Sequence, residues 1–250
     1  MNKIILYILT LFLFCACNSE DVNDCFQASG NIIQQEVVVL DFERIIVNRD
    51  IELIIKEAPE YKVIIETGEH LINDVKVEVI GNQLVLTDHN SCNYVRDYGI
   101  TKIYVEAPNL KEIRTSTQYS ISSDGVLNYN TLNLYSEDFN GISEFAVGDF
   151  RLQINSERLN IESNNLSFYY INGVVEDLFV GFYSGSGRFE GEHLLAQNVH
   201  VFHRSSNDMV VNPQQKLTGN LKSTGNLISV NEPPIVEVER FYTGQLLLFE

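Results

Sequence analysis

From Val37 onward the chain is built of short apolar runs broken at intervals by Gly, Asn, Ser and Pro. Ile51-Glu52-Leu53-Ile54-Ile55 and Tyr61-Lys62-Val63-Ile64-Ile65 are two of these runs. Val75, Val77 and Val79 alternate with Lys76 and Glu78, which is the two-residue period of a half-buried strand. Gly81-Asn82 then precedes Leu84-Val85-Leu86 and predicts a tight connection. Ile103-Tyr104-Val105 follows, and Ala107-Pro108 stops this part. No window sustains a helical period, and Glu69 to Asp74 is at most one turn.

After Pro108 the pattern repeats itself. Apolar residues Ile113, Leu134, Ile154, Val180, Val201 and Leu221 recur at spacings of 21, 20, 26, 21 and 20 residues. A second column, Ile121, Ile142, Ile161, Phe189, Met209 and Ile228, follows each by seven to nine residues. Small polar stretches such as Ser184-Gly185-Ser186-Gly187, Ser205-Ser206-Asn207 and Ser223-Thr224-Gly225-Asn226 separate the columns. The pattern predicts a solenoid of short strands. One turn of about 20 residues cannot bury its own apolar side chains, but turns stacked about 4.8 Å apart can. The corners use Gly, Asn and Ser because the backbone bends sharply there. The 26-residue interval predicts an outward loop from Leu166 to Gly173. A β-sandwich is the competing arrangement, and it does not account for a double column.

The amino terminus has a different character. Lys3 is followed by the apolar run Ile4 to Phe14, too short to span a bilayer and of signal-peptide length. The run ends in Phe14-Cys15-Ala16-Cys17, which resembles a lipobox. Residues 1–16 therefore read as a lipoprotein signal peptide and Cys17 as the lipid anchor to the membrane. Residues 17–35 read as a polar tether, and 36–250 as a single domain with an N-terminal β portion (36–108) and repeat rungs (109–250). Asn18-Ser19-Glu20-Asp21 resembles the surface-export signal of Bacteroidetes-type lipoproteins. The expected location is the outer membrane, exposed at the cell surface, with the periplasmic face as the alternative. Cys25 and Cys92 remain after processing and read as one disulfide in an oxidising compartment. Its loop of about 66 residues would be worth on the order of 4 kcal/mol by chain entropy.

With 17 basic and 34 acidic residues the net charge is −17. Such a surface repels phosphate backbones, so nucleic acid is not an expected partner.

Several stretches resemble one family. Cys25 with Gly30, Phe42-Glu43-Arg44-Ile45 with Val47, Ile51 to Ile55, Val63-Ile64-Ile65-Glu66 and His70-Leu71-Ile72 resemble the start of the DUF2807 family. Cys92-Asn93-Tyr94-Val95-Arg96-Asp97-Tyr98 resembles a stretch of its Bacteroidetes members, Ser184 to Gly187 its recurring turn, and Leu217 to Pro233 its closing rung. Ser136-Glu137-Asp138 and Ser156-Glu157-Arg158 depart from it, standing where Ser-Gly corners are usual. The resemblance covers roughly residues 25–245. It implies an all-β, right-handed parallel β-helix and an adhesin-like role, and it supplies no catalytic residues.

Pectinase-like hydrolases and lyases share such architecture, and a carbohydrate-active enzyme of that shape is the alternative reading. Glycoside hydrolysis needs two carboxylates roughly 5–10 Å apart. Glu137, Asp138 and Glu144 are the candidates, in a chain where acidic pairs arise by chance. A lyase needs a base, and Arg188 and Arg204 fall on successive rungs without alignment. His193, His200 and His203 are close in sequence, but His200 and His203 are three apart on a strand and face opposite ways. They read as exposed histidines and not as a metal site. No catalytic residue, metal or cofactor is expected. Tyr169, Tyr170, Phe182 and Tyr183, with Phe202 beyond them, form a candidate ligand platform where a glycan or protein would dock. The competing role for these rings is the core. A homo-oligomer is a further expectation, because the edges of a solenoid invite pairing.

Overall fold

A computed structural model describes residues 24–90, 92–139 and 145–248. The signal-peptide, lipobox and export-signal residues lie outside these, as do Ile142 and Glu144. The first part of the chain forms β1 (Ile32–Val37), β2 (Arg44–Asn48), β3 (Glu52–Glu57), β4 (Lys62–Gly68), β5 (Val75–Ile80), β6 (Gln83–Asp88) and β7 (Lys102–Ala107). The second forms β8 (Glu112–Ser116), β9 (Ile121–Leu127), β10 (Thr131–Ser136), β11 (Phe150–Ser163), β12 (Phe168–Phe182), β13 (Arg188–His203), β14 (Met209–Leu221), β15 (Leu227–Ser229), β16 (Ile235–Arg240) and β17 (Leu246–Leu248). The predicted alternation is realised in β7, where Ile103, Val105 and Ala107 are buried between partly exposed Lys102, Tyr104 and Glu106.

These strands make two walls. The first runs β6, β2, β8, β10, the C-terminal halves of β11 to β14, and β16, all parallel. The second runs β7, β3, β9, the N-terminal halves of β11 to β14, β15 and β17, again parallel. The long strands β11 to β14 pass from one wall to the other, so the 17 strands of the described residues belong to one sheet wrapped nearly closed around the core. Antiparallel strands finish one end: β5 on β6, β4 on β7, and β1 on β4. Chain order and spatial order part company there. Ile45 of β2 pairs with both Leu84 and Ile113, and Leu53 of β3 with both Ile103 and Ile121. The layer made first in sequence is thus inserted between the second and the third.

Inside, the apolar side chains do form ladders. On the first wall Leu84, Ile45, Ile113, Leu134, Ile161, Val180 and Val201 are consecutive partners, all fully buried. On the second wall the sequence is Ile103, Leu53, Ile121, Phe150, Tyr169, Phe189, Met209 and Leu227, buried likewise. Each such side chain contributes roughly 1.5–3 kcal/mol of burial.

Membership differs from the sequence expectation in three places. Ile154 lies in the second-wall half of β11 and pairs with Leu127 and Gly173, so Ile161 takes its place in the first ladder. Leu221 pairs with His203, and Gly219 sits opposite Val201 instead. Leu227, not Ile228, continues the second ladder. The long interval falls between β10 and β11, while residues 168–173, expected in an outward loop, are the start of β12.

Corners without glycine use serine turned inward. Ser136 Oγ is buried, 2.9 Å from the Ala146 carbonyl oxygen and 2.6 Å from Ser167 Oγ. At the antiparallel end, Cys25 and Cys92 are disulfide-bonded with their Cα atoms 4.4 Å apart. The Tyr94 amide donates to the Cys25 carbonyl at 2.9 Å. Arg96 Nη1 donates to the Gln27 carbonyl at 3.0 Å. Residues 32–35, read as tether, stand in β1 against β4.

A candidate binding face

The outer surface of the first wall inherits the strand period, so outward side chains stack across neighbouring strands. One such ladder is Asn133, Asn160, Phe179, His200 and Thr218. Asn160 Nδ2 donates to Asn133 Oδ1 at 2.8 Å. The Phe179 and His200 rings stack at 5.7 Å and 16°, and His200 Nδ1 lies 2.8 Å from Thr218 Oγ1. Two residues further along each strand, Tyr135, Glu162, Gly181, Phe202 and Asn220 make the next ladder.

Beyond the strand ends the register persists. The Arg204 amide donates to Phe182, the Lys222 amide to His203 and the Phe241 amide to Leu221. Tyr183, Arg204, Lys222 and Phe241 therefore follow one another as a third outer ladder. Gly181 opens a gap in the middle of this surface. A Cβ there would lie 2.9 Å from Phe179 Cζ and 3.1 Å from Tyr183 Oη, so both rings lean over the bare backbone. Tyr183 also packs against Phe202 at 5.2 Å and against Phe139 at 5.7 Å. Beside Phe179 and His200 lies an open depression of about 370 Å³, bordered by Arg158, Asp177, Asn198 and Lys216.

The charges on this surface are unevenly paired. Arg114 bonds the buried carboxylate of Glu137, lies 3.6 Å from Glu112 and caps the Tyr135 ring at 4.7 Å. The Phe139 amide donates to Glu137 Oε2 at 2.8 Å. Glu162 is half-buried under Tyr183. Burial raises its carboxyl pKa above the ordinary value, and the Tyr183 hydroxyl, hydrogen-bonded to it, pulls the other way. The Tyr183 phenol is itself raised, first by burial and then by Glu162. Arg158 pairs with Asp177 at 3.7 Å, and Lys216 with Glu237 at 3.7 Å.

The platform expected from sequence does not assemble as one surface. Tyr169 and Phe182 are fully buried: Tyr169 faces inward in the second-wall half of β12 and Phe182 in the first-wall half, where the inward positions have changed parity. Tyr169 stacks on Phe150 at 5.0 Å and 5°, inside the core. Tyr170 is on the outside of the second wall, with the Arg151 guanidinium 4.1 Å above its ring. Tyr183 alone of the four reaches the first-wall face, where Phe202 joins it. Phe179 was not among the expected residues and His200 only as an exposed histidine; the 21-residue offset that aligns them in sequence is the signal that pairs them.

The other candidates scatter. Glu137 is tied to Arg114, and Asp138 accepts from Asn164 at 2.7 Å. Arg188 pairs with Glu190 away from Arg204. His193 and His200 are exposed, but His203 is buried in the core, contrary to expectation. Its Nε2 donates to the Asn226 carbonyl at 3.1 Å, and burial lowers its pKa.

Fold and surface together define an all-β protein whose first wall presents aromatic rings and polar ladders on rigid strands. The chain belongs to the DUF2807 family, whose model, described as "Putative auto-transporter adhesin, head GIN domain", matches residues 41–233. Among solved structures it is similar to a "putative adhesin" from Bacteroides fragilis, with 17% identity, TM-score 0.78, and 88% of this chain and 99% of that one covered. It is also similar to a "putative lipid binding protein" from Parabacteroides distasonis, with 16% identity, TM-score 0.63, and 88% and 98% covered. A "putative adhesin" from Parabacteroides merdae has 13% identity, TM-score 0.57 and the same coverages, 88% and 98%. At these identities the likeness is one of fold. No curated protein matches the chain. Among the described residues no helix is long and apolar enough to cross a membrane.

Proposed function

We propose that this protein is a non-enzymatic, adhesin-like binding protein that holds a glycan on the outer face of its first wall. The observation that carries this reading is the run of outward-facing rings on successive strands, half-buried Phe179 with exposed His200 and half-buried Tyr183 with Phe202. Aromatic faces on rigid strands stack on sugar rings at little conformational cost. The Asn and Thr ladders beside them offer hydrogen-bond groups in register. The body is a right-handed parallel β-helix. Parallel ladders at spacings near 20 residues support the coil, and the strong preference of parallel crossovers supports its hand. A lipid on Cys17 tethers it to the outer membrane with the face turned outward, a reading supported by the lipobox and by adhesin-named relatives.

A glycan array with the detergent-solubilised full-length protein tests the binding. The variant carrying Tyr183→Ala and Phe202→Ala loses at least tenfold in affinity, corresponding to about 1.4 kcal/mol. An array with no binder, or binders kept at full strength by the variant, refutes the reading. Palmitate labelling of wild type and Cys17→Ala tests the anchor, and protease shaving of intact cells tests display.

A further inference from the structure

We infer that Arg204 and Lys222 form an anion-binding subsite at one end of this face, and that the bound sugar carries a carboxylate. The inference rests on the glycan reading and names its chemical class. In a chain of net charge −17 three cations of the first-wall face are paired with carboxylates: Arg114 with Glu137, Arg158 with Asp177, Lys216 with Glu237. Arg204 and Lys222 are different. They are exposed neighbours on one ladder, one strand apart. Among the described residues neither has a carboxylate oxygen within 4.0 Å.

Two adjacent like charges repel, and the Phe202 and Phe241 rings beside Lys222 do not neutralise them. An anionic ligand would. Their surroundings select what kind. Lys222 Nζ stands 5.5 Å from the Phe202 ring centre and 4.5 Å from that of Phe241, while Tyr183 precedes Arg204 on the ladder. A small inorganic anion would leave these rings unused. A uronic or sialic acid would set its ring on Tyr183 and Phe202 and its carboxylate between the guanidinium and the ammonium. The planar fork of Arg204 matches a carboxylate with two parallel bonds.

The test uses the full-length protein with oligogalacturonate, hyaluronan oligosaccharide and sialyllactose, each beside its carboxyl-reduced counterpart. A sulfated oligosaccharide lacking carboxylate, from carrageenan, is the further arm. At least one carboxylated probe binds tenfold or more tightly than its reduced form. Arg204→Gln with Lys222→Gln abolishes that difference and its salt dependence, while Arg151→Gln on the other wall leaves it intact. Both exchanged residues are exposed, so loss of fold does not confuse the result, and an unchanged thermal midpoint checks this. If every reduced form binds as well as its acid, and the Tyr183/Phe202 variant still loses both, the subsite is wrong and the glycan face stands. If no carboxylated probe binds better than its reduced form, or the carrageenan probe alone binds, the carboxylate assignment is overturned.

Discussion

Gly219 occupies the place in the first-wall ladder where the next apolar side chain after Val201 would stand, and replacing it with alanine measures how closely two layers approach. Its φ is +142°, a conformation that costs an L-residue about 1–3 kcal/mol. An added Cβ would also lie 2.0 Å from the Val201 carbonyl oxygen, 2.7 Å from Val201 Cγ2 and 2.8 Å from the Val201 nitrogen. Two of these atoms are backbone in a paired strand, so the layer must shift as a whole, at roughly a further 1–3 kcal/mol for overpacking. Gly219→Ala is therefore expected to lose about 2–6 kcal/mol. Gly81 is the control. Its φ is +64° with nothing within 4 Å of a built Cβ, so Gly81→Ala meets only the left-handed penalty of about 1–2 kcal/mol. The stiffening of the unfolded chain is common to both and cancels. Urea unfolding of the two variants at neutral pH gives the difference directly, provided the slopes agree with wild type. Hydrogen exchange should show the loosening of Gly219→Ala centred on β13 and β14. Equal losses at the two positions would refute the close-approach reasoning.

Two further outcomes concern the end of the stack and its interior. Replacing Cys25 and Cys92 by serine opens a loop with a sequence separation of 67. The chain-entropy account then predicts a loss of about 4 kcal/mol, read as a lower urea midpoint under oxidising conditions; a midpoint unchanged by the substitution would show that the link restrains only a locally unfolding segment. His203 is held neutral by burial, its pKa lowered from the ordinary 6.5. The unfolded chain thus binds the extra proton first. The stability involved is complete above about pH 6.5 and is lost as pH falls toward the folded pKa, at up to about 1.4 kcal/mol per pH unit. His203→Val should flatten the fall in midpoint between pH 7 and pH 5, and an equally steep fall in the variant would remove His203 as its cause.

How much of this was legible in the sequence depends on which symmetry a residue obeys. Strand alternation is local, and it placed Ile103, Val105 and the β5 valines correctly. The repeat is harder, because each turn crosses two walls and both walls bury apolar residues. Ile154 and Ile161 are seven residues apart on one long strand and face different walls. Choosing the wrong one keeps a plausible spacing while moving the residue to the other ladder. Leu221 in place of Gly219 is the same error with a different cause, since a glycine leaves no apolar mark. The insertion of β2 and β3 between later layers leaves no local trace at all; it is a matter of which strands meet. The face was half legible for a related reason. Phe182 and Tyr183 are adjacent, so one must point inward if the other points out, and composition cannot say which. Phe179 and His200 become a pair only once their register is known.

The division of charge along the first wall also bears on catalysis. Two acidic groups near the aromatic rings are Glu137 and Glu162. Glu137 is committed to Arg114 and to the Phe139 amide. Glu162 has a raised pKa, which in an enzyme would mark a proton donor, but its neighbour Tyr183 is bonded to it and covers it. On the Tyr183 ladder the next two residues, Arg204 and Lys222, are cationic and exposed. A ligand lying along the wall would meet a neutralised acidic network first, then the Tyr183 and Phe202 rings, then Arg204 and Lys222. Such a gradient fixes the direction in which a chain with one anionic end can lie. Orientation of that kind would serve the recognition proposed for this face.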